Sequence, residues 1–132
     1  LCLESGKLVY ANAGHCLPLL HSGTGQLQSL PKGGMALGVT AGIEFDDHRT
    51  ELAPGDRLVL YSDGVTEAFS PQGEMYGETH LRQVLESHPN GSAQSLLNAI
   101  LDSVHRFTQD ATPDDDLTLL VLGRTKGPHA FS

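Results

Sequence analysis

Alternating apolar and polar residues predict β-strands in the first half of the chain. They form two candidate hairpins, because glycine-containing turn residues separate each pair of strands. The predicted strands are residues 1–4 and 7–13 around Ser5-Gly6, and residues 17–21 and 26–30 around Gly23-Thr24-Gly25. A glycine-rich loop follows at residues 31–38, and it matches neither a P-loop nor the dinucleotide-binding fingerprint.

Two further strands complete the first half. Residues 43–52 are strand-like and are followed by the turn Ala53-Pro54-Gly55-Asp56. Proline followed by glycine suits the two central positions of a type II turn. Residues 57–62 are apolar on both faces. That pattern is typical of a strand in the middle of a sheet covered on both sides.

The second half has helical periodicity. A first helix is predicted to begin near Glu78, Asn90-Gly91 interrupts it, and Ser92 can cap a longer helix. The apolar positions of that longer helix are Ala93, Leu96, Leu97, Ile100, Leu101, Val104 and Phe107. Thr112-Pro113 ends the region, residues 117–122 form a last strand, and the tail from residue 126 is expected to fray. The order predicts an α+β fold with a mainly antiparallel sheet.

Length and composition indicate a globular domain or part of one. The chain has 132 residues, of which 39% are hydrophobic and 18% charged. No apolar run approaches the roughly 20 residues needed to span a bilayer. The net charge of −8 argues against nucleic acid or an anionic membrane as a partner. The chain starts without Met or a basic segment, so we expect it to be cut from a longer protein.

The two cysteines, Cys2 and Cys16, are predicted not to bridge. In the first predicted hairpin, residue 2 pairs near residue 9, far from Cys16. Reduced thiols favour a cytoplasmic protein.

Carboxylates stand at the ends of two apolar strands. Asp63-Gly64 follows one strand, and Asp114-Asp115-Asp116 precedes the last. If they converge, their repulsion favours a bound cation, and hard oxygen ligands suit Mg²⁺ or Mn²⁺. Two alternatives stay open: Asp63-Gly64 as a type I′ hairpin turn, with residues 65–69 as the returning strand, and the acidic cluster as a solvated loop.

Two other polar residues, His15 and Ser62, are candidates for a chemical role. His15 is either a general acid or a strand-end residue bonded to the backbone. Ser62 lacks the surrounding motif of a nucleophilic serine.

These residues together resemble the C-terminal portion of a SpoIIE/RsbU-type phosphatase domain, within the metal-dependent PPM (protein phosphatase 2C-like) serine/threonine phosphatases. The matching stretches are residues 10–15, 17–20, 54–68, 73–77 and 115–122. The run 54–68 is highly specific. The resemblance assigns residues 1–125 to the phosphatase domain and residues 126–132 to a tail.

The resemblance implies an N-terminally truncated αββα sandwich, an antiparallel β-sandwich with flanking helices. It also implies two Mn²⁺ or Mg²⁺ ions whose bridging water attacks phosphoserine or phosphothreonine. Asp63 and Asp115 match metal-binding residues of the family, and Asp116 adjoins Asp115 in the same motif. Gly34 and Gly38 lie in a flap-like substrate loop, in which Ala36 replaces the usual Pro.

The family carries a further metal-binding Asp-Gly pair upstream, which this sequence lacks. We therefore expect weak or no activity from the isolated chain, and a homodimer or higher assembly formed through uncovered strand edges. The implied partners are a phosphorylated regulatory protein, such as an anti-sigma-factor antagonist, and an upstream sensor or receiver domain. The alternative function is a non-catalytic interaction module with the same fold.

Overall fold

Two antiparallel sheets and two long helices make up the part of the molecule that the computed structural model describes, namely residues 1–31, 48–109, 111 and 116–126. The elements in chain order are β1 (Lys7–Tyr10), β2 (Leu19–His21), β3 (Leu27–Ser29), β4 (His48–Glu51), β5 (Arg57–Tyr61), α1 (Asp63–Thr66), α2 (Gly77–Ser87), α3 (Ala93–Thr108) and β6 (Leu119–Gly123). The α+β class predicted from the sequence is confirmed.

The larger sheet has four strands in the order β3-β2-β5-β6, all antiparallel. β5 lies inside this sheet between β2 and β6. Its Val59 pairs with Leu19 of β2, and its Tyr61 pairs with Leu119 of β6. Its burial agrees with the sequence pattern, since four of its five residues are buried. The predicted central strand is confirmed.

The two faces of the larger sheet carry separate apolar clusters. Leu19, Val59 and Tyr61 point to the face that α2 and α3 cover. The alternate residues Leu20 and Leu58 point the other way and share a cluster with side chains of β1. Successive strand residues face opposite sides, so this alternation creates a helix layer on one face and a smaller β-layer on the other.

The smaller sheet pairs β1 with β4, with Lys7 opposite Glu51. The predicted strand at residues 1–4 is therefore wrong, because β1 takes its partner from much later in the chain. The N–H of Cys2 donates to the Lys7 carbonyl, and the N–H of Gly6 donates to the Cys2 carbonyl, each over 2.8 Å. These bonds fold residues 2–6 into a tight turn, for which Gly6 adopts a φ of +76°.

The helices form as the periodicity predicts. In α3, Leu96, Ile100 and Val104 are buried, and the Ser92 hydroxyl accepts a hydrogen bond from the Ser95 N–H over 3.1 Å. This bond satisfies one of the amides left unpaired at a helix start. The hairpin of β2 and β3 is also confirmed. Among the described residues, no helix is both long and apolar enough to cross a membrane.

The edge strand β6 leaves part of its apolar surface uncovered. Leu120 is 58% exposed and Leu122 is 37% exposed, whereas Leu58, the partner of Leu122 on β5, is buried. Residues 32–47, 110, 112–115 and 127–132 lie outside the described part, and with them the glycine loop, Thr112-Pro113 and most of the tail.

Candidate metal centre

Three distant segments of the chain meet at the C-terminal end of β5. They line an open cleft of about 530 Å³, formed by Gly14, His15, Cys16, Ser62, Asp63, Asp116 and Thr118. The cleft therefore combines the segment before β2, the end of β5 and the residues that lead into β6. Asp63 and Asp116 lie on its wall together, 53 positions apart in sequence.

Ser62 joins the last two of these segments. Its hydroxyl donates to the Asp116 carbonyl over 3.2 Å and accepts from the Thr118 N–H over 3.0 Å. Its own N–H donates to the Thr118 carbonyl over 3.0 Å. The serine is therefore a structural bridge that extends the β5–β6 pairing into the cleft.

Gly64 allows the closest approach between the same segments. A Cβ at this position would stand 2.1 Å from the Asp116 carbonyl oxygen and 2.8 Å from its carbonyl carbon. Those atoms belong to the backbone and cannot swing away as a flexible side chain could. The absence of a side chain at Gly64 thus brings Asp116 beside the turn that carries Asp63.

Asp63 begins a helical turn instead of a hairpin. The Ser62 carbonyl accepts from the Val65 N–H over 3.0 Å, and the Asp63 carbonyl accepts from the Glu67 N–H over 2.7 Å. The type I′ hairpin alternative for Asp63-Gly64 is therefore wrong. The turn leaves the Asp63 carboxylate exposed to the cleft while Val65 is fully buried.

Cys16 contacts the Asp63 carboxylate directly, a contact that sequence reasoning missed. Its Sγ donates to Asp63 Oδ1 over 3.0 Å. Burial, together with this hydrogen bond and the charge of Asp63, raises the pKa of the Cys16 thiol to about 11. The thiol is thus protonated at neutral pH and orients the carboxylate. The only sequence signal was its position beside His15.

Asn12 shapes the loop that carries His15 and Cys16. Its buried side chain accepts from the His15 N–H over 2.8 Å and donates to the Cys16 carbonyl over 3.3 Å. The His15 ring is exposed on the cleft wall, with Nδ1 3.3 Å from the same Cys16 carbonyl. This loop turns the chain from β1 toward β2 and fixes both residues at the cleft.

The donor chemistry of the cleft suits hard divalent cations, because Asp63 and Asp116 present carboxylate oxygens. The protonated Cys16 thiol is not a metal ligand in that state. Within the described ranges, no three or more His, Cys, Asp or Glu side chains are grouped closely enough to hold a metal ion. The described residues fit part of a ligand shell. Asp115, Gly34 and Gly38 lie outside those ranges.

Comparison with known proteins shows which family this chain resembles over nearly its whole length. The family model of SpoIIE, stage II sporulation protein E, matches residues 1–125. Phosphoserine phosphatase RsbU of Bacillus subtilis (strain 168) is 32% identical over 123 residues, covering 92% of this chain and 36% of RsbU. The chain thus spans about a third of that relative's length.

Solved structures show the same fold. The Mn-presoaked phosphatase domain of SpoIIE from Bacillus subtilis superposes with a TM-score of 0.72 at 16% identity, covering 96% of this chain and 55% of that one. The SiaA-PP2C domain of Pseudomonas aeruginosa superposes with a TM-score of 0.73 at 20% identity, and the match covers 90% of this chain and 47% of that one. The α+β architecture is that of PP2C phosphatase domains, of which this chain spans about half. By its match over nearly the whole sequence, the chain belongs to the SpoIIE family.

Proposed function

We propose that this chain forms part of a metal-dependent protein serine/threonine phosphatase that hydrolyses phosphoserine or phosphothreonine. The observation that carries the proposal is the convergence of Asp63 and Asp116 on one cleft, held by Ser62 and by the close packing of Gly64. Asp63 follows β5 and Asp116 precedes β6, two neighbouring strands of the larger sheet, and their carboxylates offer oxygen ligands. The membership of the SpoIIE family and the name of the relative RsbU support the same activity.

Asp63, Asp115 and Asp116 are the proposed metal-binding residues of this chain. Asp63 is exposed at the cleft, which Asp116 also lines, and Asp115 directly precedes Asp116 in the sequence. When bound, a pair of Mn²⁺ or Mg²⁺ ions supplies an activated water and neutralises charge on the phosphoryl oxygens. The remaining ligands of a complete shell are proposed to come from outside the described residues.

The side chains around Asp63 favour attack by water over attack by a protein nucleophile. The Ser62 hydroxyl is engaged with Asp116 and Thr118, and no imidazole contacts it within the described part. The Cys16 thiol has a pKa of about 11, so very little thiolate exists at neutral pH. Cys16 instead holds Asp63 Oδ1, which fixes the direction of the carboxylate.

His15 is the proposed proton donor to the leaving group. Its imidazole is exposed on the cleft wall and is anchored through Asn12, so it has access to a bound phosphoester. An imidazole can carry a proton near neutral pH, as a general acid requires. Gly34 and Gly38 are proposed to belong to a substrate-binding flap.

The proposed substrate is a phosphorylated regulatory protein, such as an anti-sigma-factor antagonist, in bacterial signalling. We further propose a sensor or receiver domain upstream, since the chain spans only 36% of RsbU. The exposed apolar face of β6 supports a homodimer or another covering segment. Weak activity of the chain alone is proposed because its described residues supply only part of a metal-ligand shell. The free thiols of Cys2 and Cys16 support a cytoplasmic location.

The decisive experiment is a Mn²⁺-dependent assay of the natural polypeptide that carries this sequence, using phosphoserine peptides. Asp63→Asn keeps the size of the side chain and removes its charge, so kcat/KM is expected to fall by about 100-fold or more. Asp102→Asn is the matched control, because Asp102 is an exposed carboxylate on α3, outside the cleft. Equal turnover by Asp63→Asn and wild type would show that the ligand assignment is wrong.

A non-catalytic interaction module is the second candidate function. It is favoured by one observation, that no group of three or more potential metal ligands occurs among the described residues. The same assay separates the two functions. An intact polypeptide that binds a phosphorylated partner but releases no phosphate with Mn²⁺ or Mg²⁺ would favour the module.

A further inference from the structure

A second cavity lies at the other end of β5, away from Asp63. It has a volume of about 650 Å³, and its walls are the start of β5, the α2–α3 loop, the first residues of α3 and the end of β6. Arg57 begins β5 here, whereas Asp63 follows its other end. The length of the strand, about 13 Å, therefore separates the two sites.

The charged side chains that line this cavity are all cationic. They are Arg57, Lys126 and Arg124, although the Arg124 guanidinium donates to the carbonyls of Glu4, Ser5 and Leu52, and no carboxylate shares the lining. This is a local reversal in a chain whose net charge is −8. The neighbouring Asp56 does not line the cavity, and its two oxygens accept from the N–H groups of Gly23 and Ala53 over 3.0 and 2.8 Å. Arg57 and Lys126 are thus the cationic side chains of the cavity that are not engaged with those carbonyls.

Arg57 is the unusual member of this set, because it is only 2% exposed. Its Nη2 lies 2.8 Å from His21 Nδ1 and donates to the His88 carbonyl at the end of α2. Its Nη1 is buried without a hydrogen-bond partner among the described residues, where the only ion pair joins Arg82 to Glu78. A buried guanidinium that has an unpaired donor and no ion pair among the described residues is costly, so an anion bound nearby would stabilise it.

The start of α3 contributes amide donors to the same cavity. The Ser92 hydroxyl caps the Ser95 N–H, and the Ser92 carbonyl accepts from Leu96. The N–H group of Ala93, which lines the cavity, and the N–H group of the adjacent Gln94 have no acceptor in the described part of the chain. These first-turn amides, at the positive end of a 16-residue helix, are suited to an anion.

Glycines keep the cavity open. Gly23, Gly55, Gly91 and Gly123 all line it. A Cβ at Gly123 would stand 3.8 Å from the Ala93 nitrogen and 3.7 Å from Arg57 Cγ. A side chain there would therefore enter the space between the buried arginine and the helix start.

We propose that this cavity binds a phosphoryl group, either as free phosphate or on a phosphorylated serine. Arg57 supplies the buried charge, Lys126 an exposed charge and α3 its free amides. The site does not depend on the proposed phosphatase function, because none of its residues lines the Asp63 cleft. Phosphate binding is therefore expected whether or not the chain has activity.

The test is a titration of the ¹⁵N-labelled chain with sodium phosphate at constant ionic strength, followed by amide chemical shifts. The amides of Ala93, Gln94 and Gly123 are expected to shift in a saturable manner. Lys126→Gln should weaken binding about two- to fivefold, as expected for one exposed charge. Lys7→Gln is the matched control, since Lys7 is an exposed lysine on β1 outside the cavity.

Arg57→Met tests the buried charge and should weaken binding by about tenfold or more. If this variant does not fold, Lys126→Gln still decides the question. Absence of saturable shifts at α3, equal shifts with chloride, or equal losses for Lys126→Gln and Lys7→Gln would each overturn the proposal. Titration with O-phosphoserine identifies the source: tighter binding than phosphate indicates a phosphorylated residue, and equal or weaker binding indicates free phosphate.

Discussion

Replacing Gly64 with alanine sets two physical effects of opposite sign against each other. Gly64 lies in a helical turn and has no positive φ, so helix propensity alone predicts that alanine stabilises the protein by up to about 1 kcal/mol. The packing predicts the reverse, because the new Cβ would stand 2.1 Å from the Asp116 carbonyl oxygen. That gap is more than 1 Å short of ordinary contact, which begins at 3.4 Å.

The clash cannot be relieved by a rotamer change, since the opposing atoms are backbone atoms tied to Ser62 and Thr118. Forcing the segments apart is an overpacking change, with a typical cost of about 1–3 kcal/mol. The net expectation for Gly64→Ala is a loss of about 1–2 kcal/mol in the free energy of unfolding. In urea unfolding followed by circular dichroism, the midpoint should fall by about 0.5–1 M.

Gly73→Ala is the control for this measurement. Gly73 has a φ of +81° and open space around its Cα, so alanine adds backbone strain without a clash. The expected loss is about 1 kcal/mol or less. A Gly64→Ala protein as stable as wild type would refute the close packing of Gly64 on Asp116, and with it the convergence of the two segments.

Three further predictions concern stability. Folding raises the pKa of the Cys16 thiol from 9.0 to about 11, so its contribution to the free energy of unfolding should fall as pH rises from about 9 to about 11 and stay constant at lower pH. Cys16→Ala should remove this fall in a series of urea-unfolding experiments at different pH values. An unchanged slope would contradict the raised pKa. Ser92→Ala should lower the free energy of unfolding by about 1 kcal/mol, and Ser92→Gly by only a few tenths, since glycine tolerates the N-cap conformation. If calorimetry shows the glycine variant to be the less stable of the two, the result would argue against the cap. Ile100→Ala, at a fully buried site, should lower the free energy of unfolding measured in urea by about 2–5 kcal/mol. Leu120→Ala, at a site that is 58% exposed in the single chain, should lower the free energy of unfolding by less than about 1 kcal/mol as long as β6 is uncovered. A loss as large as that of Ile100→Ala would mean that β6 is covered in solution, as the proposed homodimer requires.

The sequence by itself determined the elements whose signal is local. Residues apolar on both faces identified β5, and the spacing of apolar residues identified α3 with Ser92 as its cap. Which face of a strand or helix is buried follows from the periodicity of apolar residues within that element, so the sequence pattern alone is enough to predict the element and its buried face.

Only the tertiary structure decided the conformation and neighbours of Asp63. Asp-Gly suits a hairpin turn as well as a helix start, and the choice rests on contacts of Ser62 and Gly64 with Asp116, more than 50 positions away in sequence. The same holds for the pairing of β1 with β4 and for the contact of Cys16 with Asp63. These features depend on which distant segments pack together, and no local periodicity records that choice.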